Sequence, residues 1–192
     1  MDNKTRCSWC LHDPLDIEYH DTEWGVPQHD DRMLFEMLNL EGAQSGLSWF
    51  TILKKRPNYK KLFADFDAKK LSKFTDDQLE KILLDPGIIR NRLKVYGVRK
   101  NAIAFLEVQK KFGSFDKYIW NFVNGKPIVN KWKNITDAPA ETKLSKEISK
   151  DLKKRGFTFI GPTICYAYMQ AIGMVNDHMI NCYRYRDVLQ QT

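Results

Sequence analysis

Lys153-Lys154-Arg155-Gly156-Phe157-Thr158-Phe159-Ile160-Gly161-Pro162-Thr163 joins two helical patterns through a glycine-punctuated turn. Upstream, residues 142–155 read as a basic helix, and Gly156 is expected to end it as a left-handed C-cap. Downstream, Gly161-Pro162 puts proline in the first turn of a helix predicted to run to Gly173. The second helix would then begin with free N–H groups and the positive end of its dipole, a ready anion site. Gly161 lets a ligand approach the backbone with no Cβ in the way. The same pattern also serves as an ordinary αα-turn whose glycines only cap helices. Phe157, Phe159 and Ile160 are expected to pin the hairpin to the core.

Outward from the hairpin the chain reads as all-α. Asp30 and Asp31 can cap a helix with Leu34, Phe35 and Leu38 on one face. Residues 47–55 predict a helix ended by Pro57, and residues 76–84 another, broken by Pro86-Gly87. Residues 91–112 carry Val95, Val98, Ala102, Phe105, Leu106 and Val108 at helical spacings. Ser114 caps a short helix through Phe122. Asn124-Gly125-Lys126-Pro127 is a turn, residues 128–141 read as irregular, and a last helix is predicted from near Asn176. No strand alternation lasts beyond four or five residues.

The 192 residues suit one domain, or two lobes sharing one core. Hydrophobic residues at 43% and charged residues at 29% exclude a disordered chain and a disulfide scaffold. No apolar run is long enough to span a bilayer. Met1 to Arg6 lacks the apolar core of a secretory signal, so a cytoplasmic protein is expected. Lys and Arg number 31 against 24 acids, a net charge of +7 that suggests an anionic partner without naming it. The charge is divided: residues 1–42 carry ten acids and three bases, residues 43–192 carry 28 bases and 14 acids. An acidic segment beside a basic body suggests a site separate from the binding surface.

Four cysteines, Cys7, Cys10, Cys165 and Cys182, cluster towards the two ends. An iron–sulfur centre needs four closely grouped cysteines, and Cys165 is too isolated. Three further runs are dense in chemistry: Cys7-Ser8-Trp9; Tyr19-His20-Asp21 with Glu23-Trp24-Gly25-Val26-Pro27; and Leu40-Glu41-Gly42-Ala43-Gln44-Ser45-Gly46-Leu47-Ser48-Trp49. With Gly87-Ile88-Ile89-Arg90, the basic hairpin and Val175-Asn176-Asp177-His178, they resemble the 3-methyladenine DNA glycosylase I family of the helix-hairpin-helix DNA glycosylase superfamily. The resemblance runs from Cys7 to Cys182.

It implies a helix-hairpin-helix glycosylase fold with the N- and C-terminal segments joined by a structural zinc and a central hairpin lobe, residues 1–192 forming one unit. The zinc ligands implied are Cys7, His20, His178 and Cys182. His178 and Cys182, four apart, would share one helix face, and a Cys2His2 shell with no open position is structural rather than hydrolytic. Cys10 is a decoy beside them. The implied base pocket has Trp49 and Tyr19 as its aromatics, Trp9 and Trp24 nearby, and Glu41 as its buried carboxylate. Core packing is the commoner fate of such aromatics, and a solvated helix end would suit Glu41 equally. Some relatives carry an aromatic at the position of Asp16, so one wall can differ here. Gly46 and Leu47 lie in a loop placed against the gap left by a flipped nucleotide, with Leu47 either an apolar wedge or a core leucine. Gly156, Gly161, Thr163 and Lys154 are the implied DNA contacts of the hairpin. Two basic clusters, Arg90, Arg92, Lys94, Arg99 and Lys100, then Lys153 to Arg155, would track phosphate, most of them solvated surface.

The superfamily's catalytic aspartate would follow the second helix, and Asn176 stands in its place. This implies a branch without aspartate assistance, acting on a base that alkylation has already made cationic. The expected activity is base excision repair: hydrolysis of the N-glycosidic bond of 3-methyladenine in double-stranded DNA. The base must first leave the duplex. Glu41 would recognise it and support its departure, and no evident Schiff-base lysine implies no strand cleavage. A glycosylase for another altered purine, or a zinc-stabilised DNA-binding module without catalysis, would share many of these features. A monomer is expected.

Overall fold

The computed structural model describes residues 3–190. Met1 and Asp2, part of the stretch read for a signal, lie outside the described residues. Polar caps set most helix starts. α1 (Pro14–Thr22) begins at Asp13, whose carboxylate accepts the Leu15 N–H. α2 (Asp31–Gln44) begins at Asp30, which accepts from Met33 N–H. Ser48 caps α3 (Trp49–Leu62) and Asp67 caps α4 (Ala68–Leu71). A Thr75–Gln78 capping box opens α5 (Asp76–Leu83). Asn91 caps α6 (Arg92–Phe112), which stops at Gly113, and Ser114 opens α7 (Phe115–Trp120). A Thr142–Ser145 capping box opens α8 (Lys143–Lys154). α9 (Pro162–Ala171) and α10 (Tyr183–Leu189) complete the helices. No helix among the described residues is long and apolar enough to cross a membrane.

Three sequence expectations are corrected. Pro57 does not end its helix; α3 runs through it. The missing N–H and ring clash disfavour this locally, but Ile52 and Leu53 on one side of Pro57 and Tyr59 on the other are buried, and that packing outweighs the local cost. No helix begins near Asn176. Instead Val175–Asn176 (β2) pairs in parallel with Ile128–Val129 (β1), inside the segment read as irregular. α1 itself was unforeseen, being short and polar on most sides.

α2 is the central helix: Leu34 to Ala43 are all buried, ten residues in succession. It packs against α1's neighbour α3, α6, α7 and α9. Phe35 meets Phe105 of α6 at 4.7 Å between ring centroids, and Phe105 stacks on Phe115 at 4.5 Å. A helix enclosed on every side buries its polar residues too, and this brings Glu36, Asn39 and Glu41 inside.

The α8–α9 hairpin forms as its sequence predicts. Gly156 ends α8 with φ +97°, open only to glycine at low cost. Phe157 and Ile160 are buried, and Ser149 donates to the Ile160 carbonyl at 2.5 Å. Gly97 of α6 lets the hairpin lie close; a Cβ there would sit 2.9 Å from Thr158 Oγ1 and 3.1 Å from the Phe159 ring. Asn101 fixes the same contact. Its Oδ1 accepts the Thr158 N–H at 2.8 Å while its Nδ2 donates to Asn39 Oδ1 at 3.0 Å.

Candidate active site and metal cluster

Cys7, His20, His178 and Cys182 converge in the interior, with one ligand atom from each lying within 4.8 Å of the others. Cys182 Sγ is 3.5 Å from His20 Nε2 and 3.7 Å from His178 Nδ1, and Cys7 Sγ is 3.8 Å from His178 Nδ1. A tetrahedral ion with bonds of about 2.3 Å to sulfur and 2.0–2.1 Å to nitrogen sets these edges at about 3.6 Å. The remaining ring nitrogens are engaged in the manner of metal ligands: His20 Nδ1 meets Asp21 Oδ1 at 2.8 Å, and His178 Nε2 meets the Trp24 carbonyl at 3.0 Å. The four residues could therefore hold a metal ion. Cys10 is not among them; its thiol donates to the Cys7 carbonyl at 3.1 Å. The helix-face argument for His178 and Cys182 is corrected. Both precede α10, and a turn closed by Cys182 N–H donating to Met179 O at 2.8 Å brings them together.

Beside this cluster lies a cavity of about 220 Å³, with Trp9, Tyr19, Trp24, Glu41, Trp49 and Asp177 among its lining. Trp24 joins cavity and cluster, its ring 4.6 Å from that of His178 and 5.1 Å from Trp9. Tyr19 and Trp49 are 5.1 Å apart between centroids. A planar ligand held between two rings needs about 7 Å, so these two make one continuous wall. Asp16 is buried and carries a carboxyl raised above its usual range by burial. It is not among the cavity-lining residues, so Asp16 supplies no wall of the cavity.

Four polar atoms of this cavity are unspent. Glu41 Oε2, Tyr19 OH, Trp9 Nε1 and Trp49 Nε1 are all buried with no hydrogen-bond partner. Each orphan costs about 1–3 kcal/mol, so four around one cavity mark a ligand site rather than a packing accident. Burial pushes the Glu41 carboxyl up to about 8. Glu36, on the same helix and equally buried, differs: Arg56 Nε donates to it at 2.6 Å and Lys60 lies 3.2 Å away. The solvated alternative for Glu41 is thus removed.

Asp177, between Asn176 and His178, also lines the cavity. Its two oxygens accept from Asn130 Nδ2 (2.7 Å), Trp132 Nε1 (2.8 Å), Tyr166 OH (2.6 Å) and Gln170 Nε2 (2.8 Å). The β1–β2 pairing delivers two of these donors, which is why the sequence did not reveal them. Asn176 is spent on structure: it accepts the His178 N–H and donates to the Tyr185 carbonyl at 3.0 Å.

The residues that the resemblance implies as DNA contacts lie on the surface. Leu47 is 41% exposed, which excludes a core leucine, and Gly46 beside it turns with φ +81°. Gly161 starts α9 with Pro162 next and no side-chain cap, so its first-turn N–H groups lack the usual partner. Thr163 and Lys154 are exposed there. Part of the basic surface is already committed. Arg92 pairs with Glu80, Arg99 with Asp76 and Arg155 with Asp151. Lys94, a member of the first basic cluster, donates to the Ala43 and Ser45 carbonyls.

Residues 9–185 match the family model of methyladenine glycosylases. The chain belongs to this family. It is 48% identical over 177 residues to DNA-3-methyladenine glycosylase 1 of Escherichia coli (strain K12), covering 92% of this chain and 95% of that one. A DNA-3-methyladenine glycosylase of Haemophilus influenzae is also 48% identical, over 93% of this chain and 96% of its own. A crystal structure of a 3-methyladenine DNA glycosylase I superposes with TM-score 0.91 at 46% identity, covering 93% of this chain and 98% of that one. The Staphylococcus aureus enzyme, solved to explain its recognition of 3-methyladenine, gives TM-score 0.90 at 34% identity over 93% and 95%. Membership of the methyladenine glycosylases accounts for a helical hairpin and an aromatic, carboxylate-bearing cavity in one chain.

Proposed function

We propose that this chain is a base-excision repair enzyme that releases 3-methyladenine from alkylated DNA by hydrolysing its N-glycosidic bond. The observation that carries this is the buried Glu41 carboxylate, unpartnered in an aromatic cavity, within a chain of the methyladenine glycosylase family. Methylation at N3 gives adenine a positive charge. In a cavity that holds Glu41 neutral near pH 7, arrival of a cation restores the ionised carboxylate and its attraction. Normal adenine offers no such charge, so selection rests on the lesion's own electrostatics. The Trp49–Tyr19 wall stacks the flipped base, and Trp9 Nε1 and Glu41 supply edge contacts. As the bond breaks, its electrons neutralise the base, and water adds to the cationic sugar and releases one proton to solvent. Asp177, its oxygens engaged by four donors, is spent on holding the cavity wall. No lysine is among the cavity-lining residues, which supports hydrolysis without strand cleavage.

Leu47, presented by Gly46, fills the gap left by the base in double-stranded DNA, while Gly156, Gly161, Thr163 and Lys154 hold the phosphates. Cys7, His20, His178 and Cys182 suit a zinc ion, which when bound supplies only a tetrahedral tie between the two ends of one glycosylase unit. We read the protein as a cytoplasmic monomer. The test is incubation with N-methylated duplex DNA and separation of the released bases. 3-Methyladenine release, lost in Glu41→Ala with the fold retained, is the expected result; a product profile without 3-methyladenine overturns it.

A further inference from the structure

Lys94 emerges from the first turn of α6 and reaches across to the end of α2. Its Nζ donates to the Ala43 carbonyl at 2.9 Å and to the Ser45 carbonyl at 2.7 Å. These are carbonyls of the kind a helix C-terminus leaves unpaired, at the negative end of its dipole. The ammonium is half-buried, and burial holds its pKa below the usual lysine range.

The segment it grips has little else to define it. From Ser45 to Leu47 the backbone makes two local bonds, Ser45 N–H to Gly42 O at 3.4 Å and Leu47 N–H to Gln44 O at 2.6 Å, before Ser48 O accepts Thr51 N–H at the start of α3. Nothing lies within 4 Å of where a Cβ would stand at Gly46, and Leu47 is exposed. Among the described residues, Lys94 is the one side chain from beyond the two flanking helices shown hydrogen-bonding this loop; Thr51 of α3 meets only the Ser48 cap, at 2.8 Å. On the other side, α6 holds the phosphate-binding hairpin through Asn101 and Thr158. One helix therefore braces both the hairpin and the loop.

We propose that Lys94 is a positioning residue that sets the height of Leu47 above the base cavity, so that the wedge and the hairpin meet the same duplex in register. The inference rests on the reading of Leu47 as the wedge. A leucine that enters a base stack must arrive with its backbone already shaped, because a flexible loop would lose its freedom at the moment of binding. Glu41 lies before the gripped carbonyls, inside the regular helix. The cavity should therefore bind free base without Lys94, while duplex engagement should need it.

The test compares the full-length parent with Lys94→Met, Leu47→Ala and the double variant. Three readouts apply: affinity for free 3-methyladenine, affinity for a duplex with an abasic-site analogue, and excision from methylated duplex. Lys94→Met is expected to keep free-base affinity within twofold and to lose tenfold or more in duplex affinity and excision. The double variant should be no worse than Leu47→Ala alone, the mark of two residues acting through one element. Lys94→Gln, which retains a donor, should fall between parent and Lys94→Met, and it replaces Lys94→Met if that variant fails to melt cooperatively. Parental duplex affinity in Lys94→Met beside an impaired Leu47→Ala overturns the role of Lys94 alone. Parental behaviour of Leu47→Ala overturns the wedge reading and this inference with it. Equal loss of free-base and duplex affinity assigns Lys94 to the cavity and also overturns it.

Discussion

Glu36 and Glu41 share one buried helix and have opposite fates. Glu36 is neutralised by Arg56 and Lys60, whereas Glu41 has no cation and meets the cavity with a free oxygen. The consequence for stability has a definite sign. The unfolded chain releases the Glu41 proton near 4.5, the native chain near 8. Between these values the native state binds more protons, so stability falls as pH rises through that window. At about 1.4 kcal/mol per unit the loss is roughly 3–5 kcal/mol by pH 9. Urea unfolding of the parent at pH 5 and pH 9 should show it, and Glu41→Gln should flatten it while abolishing excision. An unchanged pH dependence in Glu41→Gln would remove the carboxyl as its source. Asp177 is the counterpart, a carboxylate whose four donors already match it. Asp177→Asn turns acceptors into donors facing donors and should cost about 2–4 kcal/mol by denaturant unfolding.

At the scale of elements, what the sequence made legible was what glycine, proline and capping residues punctuate. The hairpin was readable because Gly156 and Gly161-Pro162 dictate a turn locally, and Asp30, Asn91 and Ser114 mark helix starts by the hydrogen bonds they make. Pro57 misled for the same reason: a strong local signal was overruled by packing invisible in a linear string. The His178–Cys182 spacing led to the right neighbours through the wrong element. The Asn39–Asn101–Thr158 chain and the donors of Asp177 stayed hidden because each joins segments far apart in sequence. Aromatics and a carboxylate at the site were legible through family resemblance, while their unspent hydrogen bonds needed three dimensions. Gly97 gives a test of the hairpin seat. Gly97→Val must displace Thr158 and Phe159, and a loss of about 1–3 kcal/mol is expected in thermal unfolding. Lys154→Ala, on an exposed helix end, should leave melting unchanged and lower the slope of log affinity for duplex against log salt by about one.

For the whole molecule, the division of charge in the sequence takes on spatial meaning. The acidic first 42 residues supply Cys7, His20 and Glu41 to the interior, while the basic remainder carries the hairpin. The metal cluster and the cavity share Trp24, and Trp9 and Tyr19 lie beside them. Removing the metal proposed for these four residues should therefore weaken the cavity as well as the fold. Metal analysis before and after chelation, with melting, should show a loss of at least about 3 kcal/mol, or roughly 6–12 °C for a chain of this size, together with weaker free-base affinity. Cys182→Ala that keeps full metal content would exclude Cys182 as a ligand. The cluster also sets a clock. Cys7 and His178 are separated by 171 positions, so a ribosome adding about 5–20 residues per second makes the first roughly 10–35 s before the second. Throughout that interval the nascent tryptophan-rich segment waits without its partners. The cavity proposed to recognise the damaged base is thus among the last parts of the protein to come into being.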